Sequence, residues 1–155
     1  MHISVRQIVV ELVWILAALA TAWCLSLPMK VFEIDFSFEL THYYFISLGI
    51  TFIRWLFLWK YTPYAWFIPV KLALLGLIFF CLVIGFDMFQ QFKAYLHDTG
   101  LQQMVDHLPL HEQDRLMAYI RSDLIFWGTS FLITGVLMIP KIFWSIWKQI
   151  NRKEV

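Results

Sequence analysis

Four stretches of this chain are almost purely apolar, and charged or polar residues return between them. The first runs roughly from Ile8 to Leu27 and is expected to stop at Pro28, since proline cannot extend a helix interior. The second, about Tyr43 to Trp59, is short and is closed by Lys60 and the turn-favouring pair Thr62-Pro63. The third, about Ile68 to Phe86, places Pro69 in a first helical turn, where its missing N–H costs nothing. The fourth, about Leu124 to Ile139, meets Pro140 and Lys141. A helix needs about 20 apolar residues to cross a bilayer. The pattern therefore predicts an all-α integral membrane protein, a four-transmembrane-helix bundle forming one domain over residues 1–155.

Helical periodicity continues beyond the third stretch. Phe89, Phe92, Tyr95 and Leu96 recur between Asp87, Gln90, Gln91, Lys93 and Asp98, the i, i+3, i+4 stripe of an amphipathic helix. The third helix is expected to end near Gly100, and Pro109 to open the fourth, whose outer turns carry Leu116, Tyr119 and Ile120 on one face. Helices 3 and 4 would then extend into a small cap over roughly residues 87–123. Between the first two helices a different period appears. Phe32, Ile34, Phe36, Phe38 and Leu40 alternate with Glu33, Asp35, Ser37 and Glu39, the period-two pattern of a half-buried strand. No second such segment exists to pair with it, and an isolated strand leaves its backbone groups unsatisfied. Three arrangements remain open: lying on the membrane surface, packing on the cap, or pairing with a strand of a partner by β-augmentation. The last would make these five apolar residues a partner-docking segment.

Composition agrees with a bilayer as solvent. Hydrophobic residues make up 61% and charged residues 15%, with a mean hydropathy of +0.69, against about 45–50% and about 25% in soluble domains. A core of 155 residues could not hide that much apolar surface from water. Arg6 followed by an apolar run and Ala18-Leu19-Ala20 resembles a cleavable signal, but Glu11 interrupts the run and the apolar stretch continues through Leu25. A retained helix is expected, because a signal's apolar region spans only about 7–15 residues.

Orientation follows from the basic residues, which concentrate in short cytoplasmic loops. Arg6, Arg54, Lys60, Lys71, Lys141, Lys148, Arg152 and Lys153 fall on one side, and Lys30, Lys93, Arg115 and Arg121 on the other. Both termini are thus expected in the cytoplasm. Trp55, Trp59, Trp66, Trp144 and Trp147 would form an inner aromatic belt, and Trp23, Tyr43, Tyr44 and Trp127 an outer one.

Two charges interrupt the spans, Glu11 in the first and Arg54 in the second. A charge at membrane depth costs about 2.5–3.5 kcal/mol on insertion scales and normally finds a partner or a watery cavity. Their similar depths suit an intramembrane charge pair, read either as a structural lock or as a proton- or ion-handling site. Small residues four apart (Ala18 and Ala22, Ala17 and Thr21, Cys81 and Gly85, Ser130 and Thr134) have the spacing of close helix approaches. Cys24 and Cys81 match no zinc spacing and are expected as buried packing residues. Only His42 lies near a span, which argues against a haem held by two histidines. His97, His107 and His111 cluster in the cap with Asp98, Asp106, Glu112 and Asp114, expected as solvated polar residues. No metalloprotease, nucleophile-elbow or phosphate-cradling motif occurs. The expectation is no enzyme, no catalytic residue, no metal and no cofactor.

The stretch Tyr119–Gly128 (YIRSDLIFWG), the following IPKIFWSIW, the opening RQIVVEL and ITFIRWLFLWK resemble small four-helix inner-membrane proteins of Bacteroidota. That resemblance covers most of the chain, implies a bacterial inner membrane and brings no activity with it. The partners expected are the lipid bilayer and other membrane-protein subunits or further copies of the chain, with no nucleic acid. An accessory or scaffolding subunit is the leading functional expectation. A small oligomeric channel or transporter using Glu11 and Arg54 is the rival.

Overall fold

A computed structural model describes residues 5–32, 34, 36–98 and 100–151. Four long helices follow one another: α1 (Val5–Val31), α2 (Glu39–Leu58), α3 (Ile68–Asp98) and, after the single-turn α4 (Gln102–Val105), the 42-residue α5 (Leu110–Asn151). Two 3₁₀ turns, Trp59–Tyr61 and Pro63–Ala65, join α2 to α3.

The contacts fix the directions. His42 meets Asp123 and Trp59 meets Ser145, so α2 and α5 run parallel. Ser26 meets Tyr43 near one end and Glu11 meets Arg54 near the other, so α1 runs antiparallel to α2. Lys71 reaches Ser145 and Gln149 while Phe89 lies on Gly128, so α3 runs antiparallel to α5. The end holding α4 is called the cap end here, and the end holding the 3₁₀ turns the basal end.

α2 and α5 form the centre. Phe131 of α5 sits 5.7 Å from the Phe45 ring and 5.4 Å from the Phe52 ring, and Phe45 lies 6.0 Å from Phe89. Glycines let the helices come this close: a Cβ on Gly85 would collide with the Phe131 ring, and one on Gly128 would stand 2.6 Å from Phe89. Around this centre no residue of α2 from Thr41 through Leu56 is exposed. α1 is attached differently. It buries a narrow stripe, Glu11, Ala18, Ala22, Ser26 and Met29, and exposes Leu12, Trp14, Leu16, Leu19 and Trp23.

Among the described residues three helices, α1, α3 and α5, are long and apolar enough to cross a membrane. The fourth expected span is not among them. α2 is long enough at 20 residues, but His42, Tyr43, Tyr44, Thr51 and Arg54 dilute its apolar character. Its position explains this, because a helix enclosed by others is solvated by protein side chains.

Two expected stops are also passed. α1 continues through Pro28 to Val31, and α5 through Pro140 to Asn151. Proline costs about 3 kcal/mol inside a helix. Packing beyond each one offsets it: Met29 is 3% exposed, Ile142 0% and Ile146 9%.

The strand-like segment is not a strand, and no strand occurs among the described residues. Glu33 and Asp35 lie outside those residues. Phe32 turns out of α1, Ser37 and Phe38 form a turn, and Leu40 already belongs to α2. With no partner strand, the backbone groups pair locally: the Phe32 N–H with Pro28 O, Ile34 with Met29 O, and Glu39 with Phe36 O. Alternation here produced a strap of turns whose rings reach inward.

α3 runs on past Phe86 to Asp98, as the periodicity implied. α3 ends where Gly100 adopts φ 71° and its N–H bonds Tyr95 O at 3.0 Å, a left-handed residue that glycine adopts without strain. Pro109 O accepts the N–H of Glu112 and of Gln113, opening α5. Leu101 before α4 and Met104 and Val105 within it are buried.

Candidate functional site: two buried polar pairs on one helix

α2 carries a buried polar pair near each end. At the basal end, Arg54 Nη1 donates to Glu11 Oε2, with 6% and 5% of the two residues exposed. Both positions follow from local structure. Glu11 heads the small-residue stripe of α1, and Arg54 lies on the α2 face that also presents Tyr43 to α1. The Arg54 guanidinium stands 5.5 Å from the Trp14 ring centroid, a cation–π contact. Glu11 Oε1, Arg54 Nε and the neighbouring Trp55 Nε1 are buried with no partner among the described residues. Tyr64, from the second 3₁₀ turn, lies edge-on to Trp55 at 5.6 Å. Burial, and then the Glu11 charge, raise the Tyr64 hydroxyl above its usual range.

A second basal cluster was not anticipated. Lys71, read from sequence as one of the basic residues setting orientation, is 1% exposed. Its ammonium donates to Ser145 Oγ at 2.9 Å and Gln149 Oε1 at 2.7 Å, with Ser145 O at 3.5 Å. Trp59 Nε1 donates to the same Ser145 hydroxyl, and Gln149 Nε2 to Trp66 O. Three donors and four acceptors clip the start of α3 and the turns before it to the end of α5.

At the cap end, His42 Nε2 lies 2.5 Å from Asp123 Oδ2, with His42 fully buried and Asp123 8% exposed. Sequence reasoning missed this pair because the residues are 81 positions apart. The available signal was their shared depth: each stands at the cap-side end of its apolar stretch. His42 Nδ1 is buried with no partner among the described residues.

The remaining candidates disperse. Phe36 is buried and lies edge-on to His42, with ring centres 6.4 Å apart. Phe38 lies edge-on to Phe92 at 5.3 Å and to Tyr95 at 5.2 Å. Phe32 and Ile34 are half-buried, and Leu40 alone is fully outside, 74% exposed. The five residues do not form one outward stripe. Ala18 and Ala22 lie in the α1–α2 seam, while Ala17 and Thr21 face outward. The Ser130 and Thr134 pair is half-buried, the Thr134 hydroxyl turning back to Ser130 O. Cys24 is exposed and Cys81 half-buried, both as free thiols; exposure of Cys24 differs from the expected burial, because it lies off the narrow α1 stripe. His97 and His111 are exposed, and exposed His107 donates from Nε2 to Phe32 O. Among the described residues no group of three or more His, Cys, Asp or Glu is placed to hold a metal.

Between the two pairs lies the ring cluster of Phe45, Phe52 and Phe131, all 0–2% exposed. The arrangement can hold charge at each end of α2 with the ring cluster between, while Tyr44 and Thr51 spend their hydroxyls on Cys81 O and Ser47 O. No protein-family model, curated protein or solved structure matches the chain, so this geometry carries the functional argument alone.

Proposed function

We propose that this protein is a non-enzymatic membrane subunit that braces a larger inner-membrane assembly as an accessory or scaffolding element. In this reading α2 crosses the bilayer as a fourth span solvated by its neighbours, and both termini lie in the cytoplasm. The observation that carries it is the use made of polar groups: Glu11 and Arg54 satisfy one another inside the bundle. The closed Phe45–Phe52–Phe131 cluster separates them from the opposite end. Charges that bind each other across a helix seam lock helices together, whereas a transport route strings ionisable groups along a wet path. The exposed apolar flank of α1 meets lipid and the other subunits. Gentle detergent extraction from the native membrane, followed by identification of companions, tests this. A stoichiometric membrane-protein companion is expected; extraction as a lone chain overturns it.

The rival, a small oligomeric channel or transporter with its path between subunits, draws on the unpartnered atoms Glu11 Oε1 and Arg54 Nε. It requires ion flux in proteoliposomes that Glu11→Gln abolishes. No flux above empty liposomes disposes of it.

A further inference from the structure

We propose that His42 and Asp123 form a proton-binding latch at the cap end, closed when the pair holds the histidine's second proton. The site is built for one exchangeable proton. Imidazole is the side chain that ordinarily changes charge between pH 5 and 8. This one is fully buried and touches a carboxylate at 2.5 Å. Among the described residues, the groups against it or beside its neighbours are these. From the strap comes Phe36, edge-on to the imidazole. α2 itself adds Tyr43, whose ring lies 6.0 Å away. α3 brings Phe92 and Phe89 beside Phe38, at the mouth of α2, and Phe45 within it, and neither carries charge. α5 brings Asp123 and, one turn earlier, Tyr119, whose hydroxyl donates to Leu25 O of α1. Lys30, the nearest cation on α1, is 3.1 Å from Glu39, so its charge is already matched.

Two costs compete. With imidazolium and carboxylate together the pair is neutral, but the added N–H at Nδ1 finds no acceptor. With neutral imidazole the N–H at Nε2 still bonds Asp123, but the buried carboxylate has no counter-charge among the described residues. An unmatched buried charge costs more than one unmatched N–H, so the doubly protonated pair is the tighter state. Rising pH removes that proton, loosens α2 from α5 and frees the Phe36 strap lying on the imidazole. Acid closes the latch and base opens it.

The test is thermal unfolding of the full chain in detergent, followed by tryptophan fluorescence between pH 5.5 and 8.5. The midpoint of the wild type should fall with rising pH, by about 3 °C or more. His42→Gln, which can still donate to Asp123 but cannot titrate, should lose that slope while keeping whatever the exposed histidines contribute. Asp123→Asn should reverse it, since an imidazolium then lacks its counter-charge and acid destabilises. A wild type with a flat or opposite slope, or a His42→Gln profile parallel to the wild type, overturns the latch. Should both variants fail to fold, NMR titration of the wild-type His42 ring decides: a ring that stays in one protonation state from pH 5.5 to 8.5 overturns it as well.

Discussion

α1 and α2 lie side by side, yet they are built to opposite rules. α1 is among the most apolar segments of the chain and the least enclosed, with only 17% of its most apolar stretch buried, against 33% for α5. α2 carries histidine, arginine and two tyrosines in its apolar stretch and exposes no residue from Thr41 through Leu56. In a soluble protein the more apolar helix would be the inner one. Here the order inverts, as expected where lipid is the outer solvent: the outer helix must be apolar because nothing else covers it. The inner helix can carry polar groups because the bundle supplies their partners.

That contrast can be broken by substitution, with the largest effect expected at the charge pair. Arg54→Leu leaves the Glu11 carboxylate buried and alone, at a cost of about 3–5 kcal/mol. Replacing both residues by leucine should recover most of that loss, and unfolding of each variant in mixed micelles compares them. If the single and double variants are equally destabilised, the pair does not act as a lock. Next comes Ala22→Leu, in the seam where α1 lies on α2 and is 0% exposed. Overpacking there should cost about 1–3 kcal/mol, and crosslinking between cysteines introduced on α1 and α2 should weaken with it. Ser26→Ala removes the 3.1 Å bond to the Tyr43 hydroxyl and should cost about 1 kcal/mol in the same unfolding measurement. Smallest of all is Leu16→Ala, on the α1 face that is 64% exposed. It should change stability by no more than about 0.5 kcal/mol; a large loss would mean that another helix or subunit covers this face.

Legibility in the sequence divided along physical lines. The long helices, the extension of α3 to Asp98 and the start of α5 after Pro109 were readable because periodicity and end signals are local. Glu11 and Arg54 stood out because a charge in an apolar run is conspicuous, and the short connection from α1 to α2 made them neighbours. Lys71 looked like an ordinary flanking lysine; its burial depends on Ser145 and Gln149, more than 70 positions away. The alternation from Phe32 to Leu40 misled because period two specifies a strand only when a second strand exists to receive its hydrogen bonds. The prolines misled in the other direction, since packing beyond Pro28 and Pro140 outweighs one lost backbone bond.

The sequence by itself determined that this chain is helical and rich in long apolar stretches, because length and apolar character are sums over neighbouring residues. It set the number of spans at four, where three helices among the described residues are long and apolar enough to cross a membrane. It also marked the charge pair of α1 and α2. Only the tertiary structure decided which helix lies at the centre, that the strap turns its rings inward, and that His42 faces Asp123. Those outcomes depend on which surfaces meet across many tens of residues. A buried polar group is defined by the partner that packing brings to it.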